Sequence, residues 1–188
     1  FPDNGAQVYV DLQHGLRFLF DEQSQQGLVI ESDVKIENNT TISGFCATQN
    51  WVSRKYYFTI TFDQPFINLN HLDPKPKDKA PKYLLDFTLA NNKILKVKIA
   101  LSSVAVDGAK LNMQTEIPHW NFEKVYQSNL ASWETYLDKI NIEAPLKQME
   151  IFYTSLYHLF LQPSNIADVD GKYRGVDDKI AIAPNKAY

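Results

Sequence analysis

Short segments in which apolar and polar residues alternate follow one another through the first 117 positions of the chain. Lys96-Val97-Lys98-Ile99 is a clear example, because its apolar residues share one face of an extended strand. The segments are bounded by Gly, Pro, Asn or Asp, and no helical period separates them. This spacing predicts an antiparallel β-sandwich rather than a parallel sheet with crossover helices. The predicted strands are 7–12, 28–36, 41–45, 56–62, 83–89 and 94–101. The Ala-Asn-Asn-Lys turn at 90–93 predicts a hairpin between the last two.

After residue 118 the apolar period becomes that of a helix. Asn121 is placed to cap an amphipathic helix. The apolar stripe of that helix is Phe122, Val125, Tyr126, Leu130, Trp133, Leu137 and Ile140.

A second helix is predicted from Pro145, which suits a first helical turn. Its apolar residues cover more than one face, so the segment 146–161 is expected to be buried on several sides. We therefore expect it to belong to a helical core larger than this chain supplies. The chain is thus interpreted as a β-sandwich over 1–117, a linker helix over 118–144 and the start of a helical domain over 145–188.

The amino-acid composition supports a folded core and argues against nucleic acid and membrane spans. The chain has 188 residues, 44% of them hydrophobic, which is enough to build a core. Its net charge is -3, and its Lys and Arg residues are scattered singly, which argues against a nucleic-acid-binding face. No apolar run is long enough to predict a membrane span. Cys46 is the single cysteine, so an internal disulfide is excluded.

The segment 168–178, DVDGKYRGVDD, is the strongest candidate for a ligand site, because a short charged loop follows an apolar helix. Carboxylates accept hydrogen bonds from sugar hydroxyls and guanidinium groups donate to them, while an aromatic face covers the sugar ring. Sugar contacts are predicted for Asp168, Asp170, Arg174 and Asp177, with Tyr173 or Trp51 as the aromatic face. The alternative is a solvated loop whose charges pair locally. An EF-hand-like calcium loop is disfavoured, since the later oxygen ligands and the final Glu are missing.

His158 is a further candidate for the same pocket, one helical turn after Thr154. A lone histidine in an apolar helix is more often a hydrogen-bonded core residue, so both interpretations stay open. Ser102-Ser103 has no neighbouring base in the sequence and gives no support to a nucleophilic triad.

The helical block resembles one enzyme family, glycoside hydrolase family 92, whose members are calcium-dependent exo-α-mannosidases. The motifs that carry the resemblance are EIPHWNFE at 116–123, Trp133, FYTSLYH at 152–158, PSN at 163–165 and DVDGKYRGVD at 168–177. Weaker matches run upstream in the same order.

The resemblance implies an N-terminal β-sandwich, a helical linker and an (α/α)6 barrel that hydrolyses α-linked mannose with inversion. It also implies that both catalytic carboxylates and most calcium ligands lie in later barrel sequence, so no catalytic or metal-binding residue is assigned within this chain. The expected partners are a mannose-containing glycan and the remainder of the barrel, and the isolated chain is expected to be inactive. A periplasmic or secreted location is implied in the same way.

Two function classes follow from the sequence. One is part of a glycoside hydrolase. The other is a non-catalytic β-sandwich that binds carbohydrate or a partner, because sandwiches carry many functions. The sequence beyond Tyr188 distinguishes them: further helical hairpins with paired Glu and Asp indicate the enzyme.

Overall fold

A computed structural model describes residues 5–13, 28–49, 53–72, 81–89, 93–162 and 164–183. These residues are mostly antiparallel β-sheet, followed by helices, as the sequence predicts. A first sheet has the strand order β1-β6-β5, and a second has the order β2-β3-β4-β7. Their strands are β1 (Ala6–Asp11), β2 (Leu28–Asn38), β3 (Thr41–Gln49), β4 (Ser53–Phe62), β5 (Phe66–Leu72), β6 (Lys82–Phe87) and β7 (Val97–Ser102).

The core lies between these two sheets. Phe62 of β4 packs on Phe87 of β6 with ring centroids 4.9 Å apart, and Phe66 meets both rings edge-on or nearly so. Ile42 and Leu85 are fully buried beside them. Burial of aromatic and branched side chains from facing sheets is the main stabilising contribution in a sandwich.

The hairpin predicted at 90–93 is wrong. β6 pairs with β1 and β5, whereas β7 pairs with β4 in the other sheet. The chain therefore crosses between sheets here; residues 90–92 of the turn lie outside the described residues. A polar turn between two alternating runs is equally compatible with both connections, since the sequence pattern carries no information about which strands pair.

A helix lies where only strands are predicted. This helix, α1 (Val106–Glu116), packs on the outer face of the second sheet. Its buried residues Ala109, Asn112 and Met113 have helical spacing, but Gly108 and the polar Asn112 interrupt the apolar pattern. A short apolar stripe that includes polar residues gives only a weak helical period, so the sequence pattern does not reveal α1.

Lys98 fixes the chain that leaves α1 against the edge strand β7. Its Nζ donates to the carbonyl oxygen of Ile117 at 2.8 Å and lies 4.3 Å from the ring centroid of Trp120. Burial lowers the pKa of Lys98. The hydrogen bond and the cation–π contact therefore hold the linker close to the sandwich.

The two predicted helices are present as α2 (Phe122–Leu137) and α3 (Leu146–Phe160). Asn121 caps α2, accepting a hydrogen bond from the amide of Lys124 at 3.0 Å. Trp133 of α2 contacts Tyr157 of α3, with ring centroids 4.5 Å apart. Neither helix is long and apolar enough to cross a bilayer, and the same holds for α1, the other described helix.

Much of the apolar surface of α2 and α3 faces outward. Leu156 is the buried residue of α3, whereas Leu146, Ile151 and Leu159 are 69%, 60% and 68% exposed. On α2, Phe122 is 74% exposed. The expectation that further helical structure covers these faces stays a prediction.

Glu37 links the β2–β3 hairpin to α1. The Ser43 hydroxyl donates to its carboxylate at 2.6 Å, and Lys110 of α1 lies 3.1 Å away. The hydrogen bond from Ser43, followed by the contact with Lys110, lowers the pKa of Glu37 from its ordinary value of 4.5. Because the charged form is favoured in the folded state, the carboxylate contributes stability at neutral pH.

We predict that Glu37→Gln lowers the melting temperature at neutral pH but not in strong acid. A lowered pKa stabilises the fold above the unfolded-state value, and this contribution is lost as pH falls through the folded-state pKa. Thermal unfolding of both proteins across the acid range measures the difference. Glu150→Gln on α3 is the control and should melt near the wild type at neutral pH. A difference that grows as pH falls would contradict the assignment.

Candidate functional site

After α3 the chain folds back onto the sandwich through residues 168–183, which we call the acidic segment. Residues 168–183 form a small hairpin of two strands, β8 (Lys172–Arg174) and β9 (Ile180–Ile182), in which Tyr173 pairs with Ala181. Gly171 has a φ of +82°, and a Cβ there would lie 2.6 Å from the carbonyl oxygen of Ala183. Glycine is therefore required at this turn.

Asp168 is buried between the segment and the sandwich, with 7% of its surface exposed. The Ser102 hydroxyl at the end of β7 donates to its Oδ2 at 2.6 Å, and the Asn112 side-chain amide on α1 donates to its Oδ1 at 2.8 Å. Asn112 also donates to the carbonyl oxygen of Leu101 and accepts from the amide of Val169, both at 2.9 Å. We call Asp168, Ser102 and Asn112 the buried triad. A buried carboxylate needs such donors, so the triad specifies how the segment docks.

Gly108 makes room for the triad. A Cβ at this position would overlap the Asp168 carboxylate and would lie 2.6 Å from the Ser102 Oγ. The close approach of α1 to β7 and the segment thus depends on a missing side chain.

Arg174 is bonded to the loop between β7 and α1. Its Nε donates to the carbonyl oxygen of Ser103 at 2.9 Å, and its Nη2 donates to that of Val104 at 3.3 Å. Its Nη1 donates to the Asp178 carbonyl at 3.0 Å and lies 3.2 Å from the Asp178 carboxylate. The side chain is 17% exposed. Every guanidinium nitrogen is thus used to hold the segment in place.

The other two predicted acidic residues pair with neighbouring lysines. Asp170 accepts from Lys172 Nζ at 2.7 Å, and this hydrogen bond lowers the pKa of Asp170 and raises that of Lys172. Asp177 lies 3.6 Å from Lys179 Nζ, with both side chains largely exposed. Exposed pairs of this kind are weak. Each carboxylate also accepts a hydrogen bond from the backbone amide of its lysine, at 3.0 Å for Asp170 and 3.2 Å for Asp177.

An open groove of about 890 Å³ separates the segment from the free edge of β7. We call it the sheet-edge groove. One wall carries Arg54, Tyr56 and Leu101 from the second sheet, and the other carries Asp168, Tyr173 and Asp177 from the segment. Aromatic faces and charged groups on facing walls suit a polar ligand with an apolar face, as a sugar ring has.

The structure brings four of the predicted site residues to this groove: Asp168, Tyr173, Arg174 and Asp177. Asp170 lies on the same hairpin but does not line it. His158 is exposed on α3, with its ring 5.7 Å from that of Tyr157, and also lies outside the groove lining. Trp51 lies outside the described residues. A sugar contact for any of the seven stays a prediction.

The carboxylates of the segment do not fit a calcium centre by themselves. Asp168 is bonded to Ser102 and Asn112, Asp170 to Lys172, and Asp177 is next to Lys179. Within the described ranges, no three His, Cys, Asp or Glu side chains converge as metal ligands would. A calcium ion in this protein would therefore need ligands from elsewhere.

Sequence reasoning missed the residues that hold the segment. Asn112 is in a helix that the pattern does not show, and Ser102-Ser103 is weighed in the sequence only as a nucleophile. A polar residue at a buried helical position is a signal for Asn112 once α1 is recognised. Arg54, which lines the groove without holding the segment, is not singled out either, because a lone arginine in an alternating strand gives no sequence signal.

Comparison with known families and structures agrees with this architecture. Residues 108–188 match the model of the glycosyl hydrolase family 92 catalytic domain. A search of curated proteins gives no match.

Among solved structures, the family GH92 α-mannosidase BT3965 from Bacteroides thetaiotaomicron is similar, with 30% identity and a TM-score of 0.74. The similarity covers 81% of this chain and 23% of that one. The GH92 glycosyl hydrolase CcMan5 has 24% identity and a TM-score of 0.70, over 82% of this chain and 22% of its own. The inverting mannosidase BT2199, also from B. thetaiotaomicron, shares the fold at 18% identity and a TM-score of 0.73, over 82% of this chain and 24% of its own. The chain thus spans less than a quarter of these relatives.

We predict that Asn112→Ala loosens the acidic segment. The change removes the acceptor of the Val169 amide and one donor to buried Asp168. An unsatisfied buried group costs about 1 to 3 kcal/mol, so hydrogen exchange at Val169 should speed up by about tenfold or more. Exchange measured by NMR or mass spectrometry tests this.

Ser155→Ala is the control for this measurement. Its hydroxyl donates to the carbonyl oxygen of Ile151 within α3, so exchange at Val169 should not change. Equal protection of Val169 in the Asn112 variant and the wild type would refute the role of the triad.

Proposed function

Because this chain belongs to glycosyl hydrolase family 92, we propose that the protein removes terminal α-linked mannose from glycans by hydrolysis with inversion at the anomeric carbon. The observation that carries the proposal is the match of residues 108–188 to the family's catalytic domain. The similar enzyme BT3965 is an α-mannosidase and has been solved in complex with mannoimidazole, which supports a mannose-containing glycan as the ligand here.

Inversion needs two carboxyl groups about 6.5 to 9.5 Å apart, one as the general acid and one as the base that activates water. In the sheet-edge groove, Asp168 is committed to the buried triad and Asp177 is exposed at the rim. We therefore expect the catalytic pair in polypeptide outside residues 1–188, and expect these residues alone to be inactive. The relatives' greater length supports this expectation.

The residues of this chain bind and orient the glycan. Tyr173 offers an aromatic face for a sugar ring, and Asp177 offers a carboxylate for its hydroxyls. The buried triad and the Arg174 contacts hold both side chains in position on one wall. A rigid wall lowers the entropy lost on binding and orients the scissile bond.

Two further properties are proposed from the family resemblance alone. We expect activity to depend on calcium held by residues of the remaining barrel, and we expect a periplasmic or secreted location. Loss of activity on chelation and recovery with added Ca²⁺ would support the first.

We predict that the full-length protein releases mannose from α-mannosides and that the first product is the β-anomer. Inversion of an α-linkage gives this anomer before mutarotation. Time-resolved proton NMR of the reaction distinguishes the two anomers. Residues 1–188 alone should release no mannose. Initial release of α-mannose, or full activity of the isolated chain, would contradict the proposal.

We also predict that Asp177→Asn in the full-length protein lowers kcat/KM by about tenfold or more. Hydrogen bonds to charged groups contribute roughly 1.5 to 3 kcal/mol, and about 1.4 kcal/mol corresponds to a factor of ten. Asp107→Asn on α1, away from the groove lining, is the matched control and should keep wild-type turnover. Wild-type kinetics in the Asp177 variant would exclude a binding role for this carboxylate.

A further inference from the structure

Arg54, at the start of β4, is half-buried and lines the wall of the sheet-edge groove. In the part of the chain that the structure describes, its side chain makes no hydrogen bond or ion pair, while its backbone belongs to the β3–β4 ladder. Arginine carries five N–H donors, and a partly buried guanidinium with no protein acceptor is poised to donate to a ligand.

The neighbouring cations are already engaged. Lys55 also lines both grooves, but its Nζ lies 3.6 Å from the centroid of the Phe45 ring and 3.4 Å from the Glu31 carboxylate. The guanidinium nitrogens of Arg174 all donate hydrogen bonds, to the backbone carbonyls of Ser103 and Val104 and to Asp178. Of these three cations that line the groove, Arg54 is the one whose guanidinium has no protein acceptor among the described residues.

Arg54 stands where two grooves meet. A second groove of about 490 Å³ runs along β4 on the other side of the turn at 174–178. The residues that line both grooves are Arg54, Lys55, Arg174 and Val176. A ligand longer than one sugar that passes the turn must therefore run beside Arg54.

Tyr56 completes the local surface. It is two residues after Arg54, so the two side chains share one face of β4, and it is 47% exposed in the same groove. An exposed aromatic ring beside a guanidinium matches the apolar face and the hydroxyl groups of a hexose.

The position of Arg54 in the sequence indicates its role. The shared catalytic domain is matched from residue 108 onward, whereas Arg54 belongs to the sandwich before it. A groove residue outside the domain that carries the common chemistry is placed to select substrates rather than to react with them. We propose that Arg54, assisted by Tyr56, binds the sugar unit to which the terminal mannose is linked. The inference rests on the proposed function and assigns one of its substrate contacts.

The test compares two substrates in the full-length protein. One is an α-linked mannobiose, which has a second sugar, and the other is an aryl α-mannoside, which has none. Arg54→Met should lower kcat/KM for the disaccharide by about tenfold or more and change that for the aryl substrate by less than about threefold. Arg54→Lys should recover part of the loss, because it keeps the charge but not the forked geometry.

Lys35→Met is the matched control, since Lys35 is a cation on β2 whose side chain is 71% exposed and lies outside the groove lining. It should leave both substrates unchanged. Equal losses on both substrates in Arg54→Met, or no loss on either, would overturn the assignment while leaving the mannosidase proposal intact. A wild-type protein that hydrolyses neither substrate would instead refute the proposed function and the inference with it.

Discussion

The carboxylate of Asp168, buried against Ser102 and Asn112, determines how the acidic segment and the sandwich fit together. A charge with so little solvent contact is tolerated only if protein donors replace the lost water. The donors come from the end of β7 and the middle of α1, and Gly108 leaves the space they need. The groove exists because these elements are held in a single arrangement, so its walls depend on the contact between Asp168, Ser102 and Asn112.

Side chains that look alike in sequence consequently divide into two groups. The side chains that line the groove from this hairpin are those of Asp168, Tyr173, Arg174 and Asp177. Asp168 and Arg174 are bonded to the sandwich and to the loop before α1, whereas Asp177 is bonded only to nearby Lys179 among the described residues. A short, Gly-containing turn is not rigid by itself. The contacts with the sandwich supply the rigidity, and Asp177 and Tyr173 stay accessible from the groove.

The sequence predicts the sandwich, the Asn121 cap and the two later helices, because strong alternation and a long apolar stripe are local signals. It fails where partners are distant in sequence. The supposed hairpin at 90–93 joins strands of different sheets, and α1 is hidden by Gly108 and Asn112 in its apolar face. The predicted loop lines the groove, and its role as a ligand site stays a prediction; which of its charges are buried depends on Ser102, 66 positions away. No local pattern contains that information.

A crystal structure of the full-length protein with a sulfur-linked α-mannobiose, which resists hydrolysis, tests the central claim most directly. The account predicts the disaccharide in the sheet-edge groove between the sandwich and the acidic segment, with Asp168 still bonded to Ser102 and Asn112. A ligand bound away from this groove, or an Asp168 carboxylate that leaves the triad to hold the sugar, would contradict it.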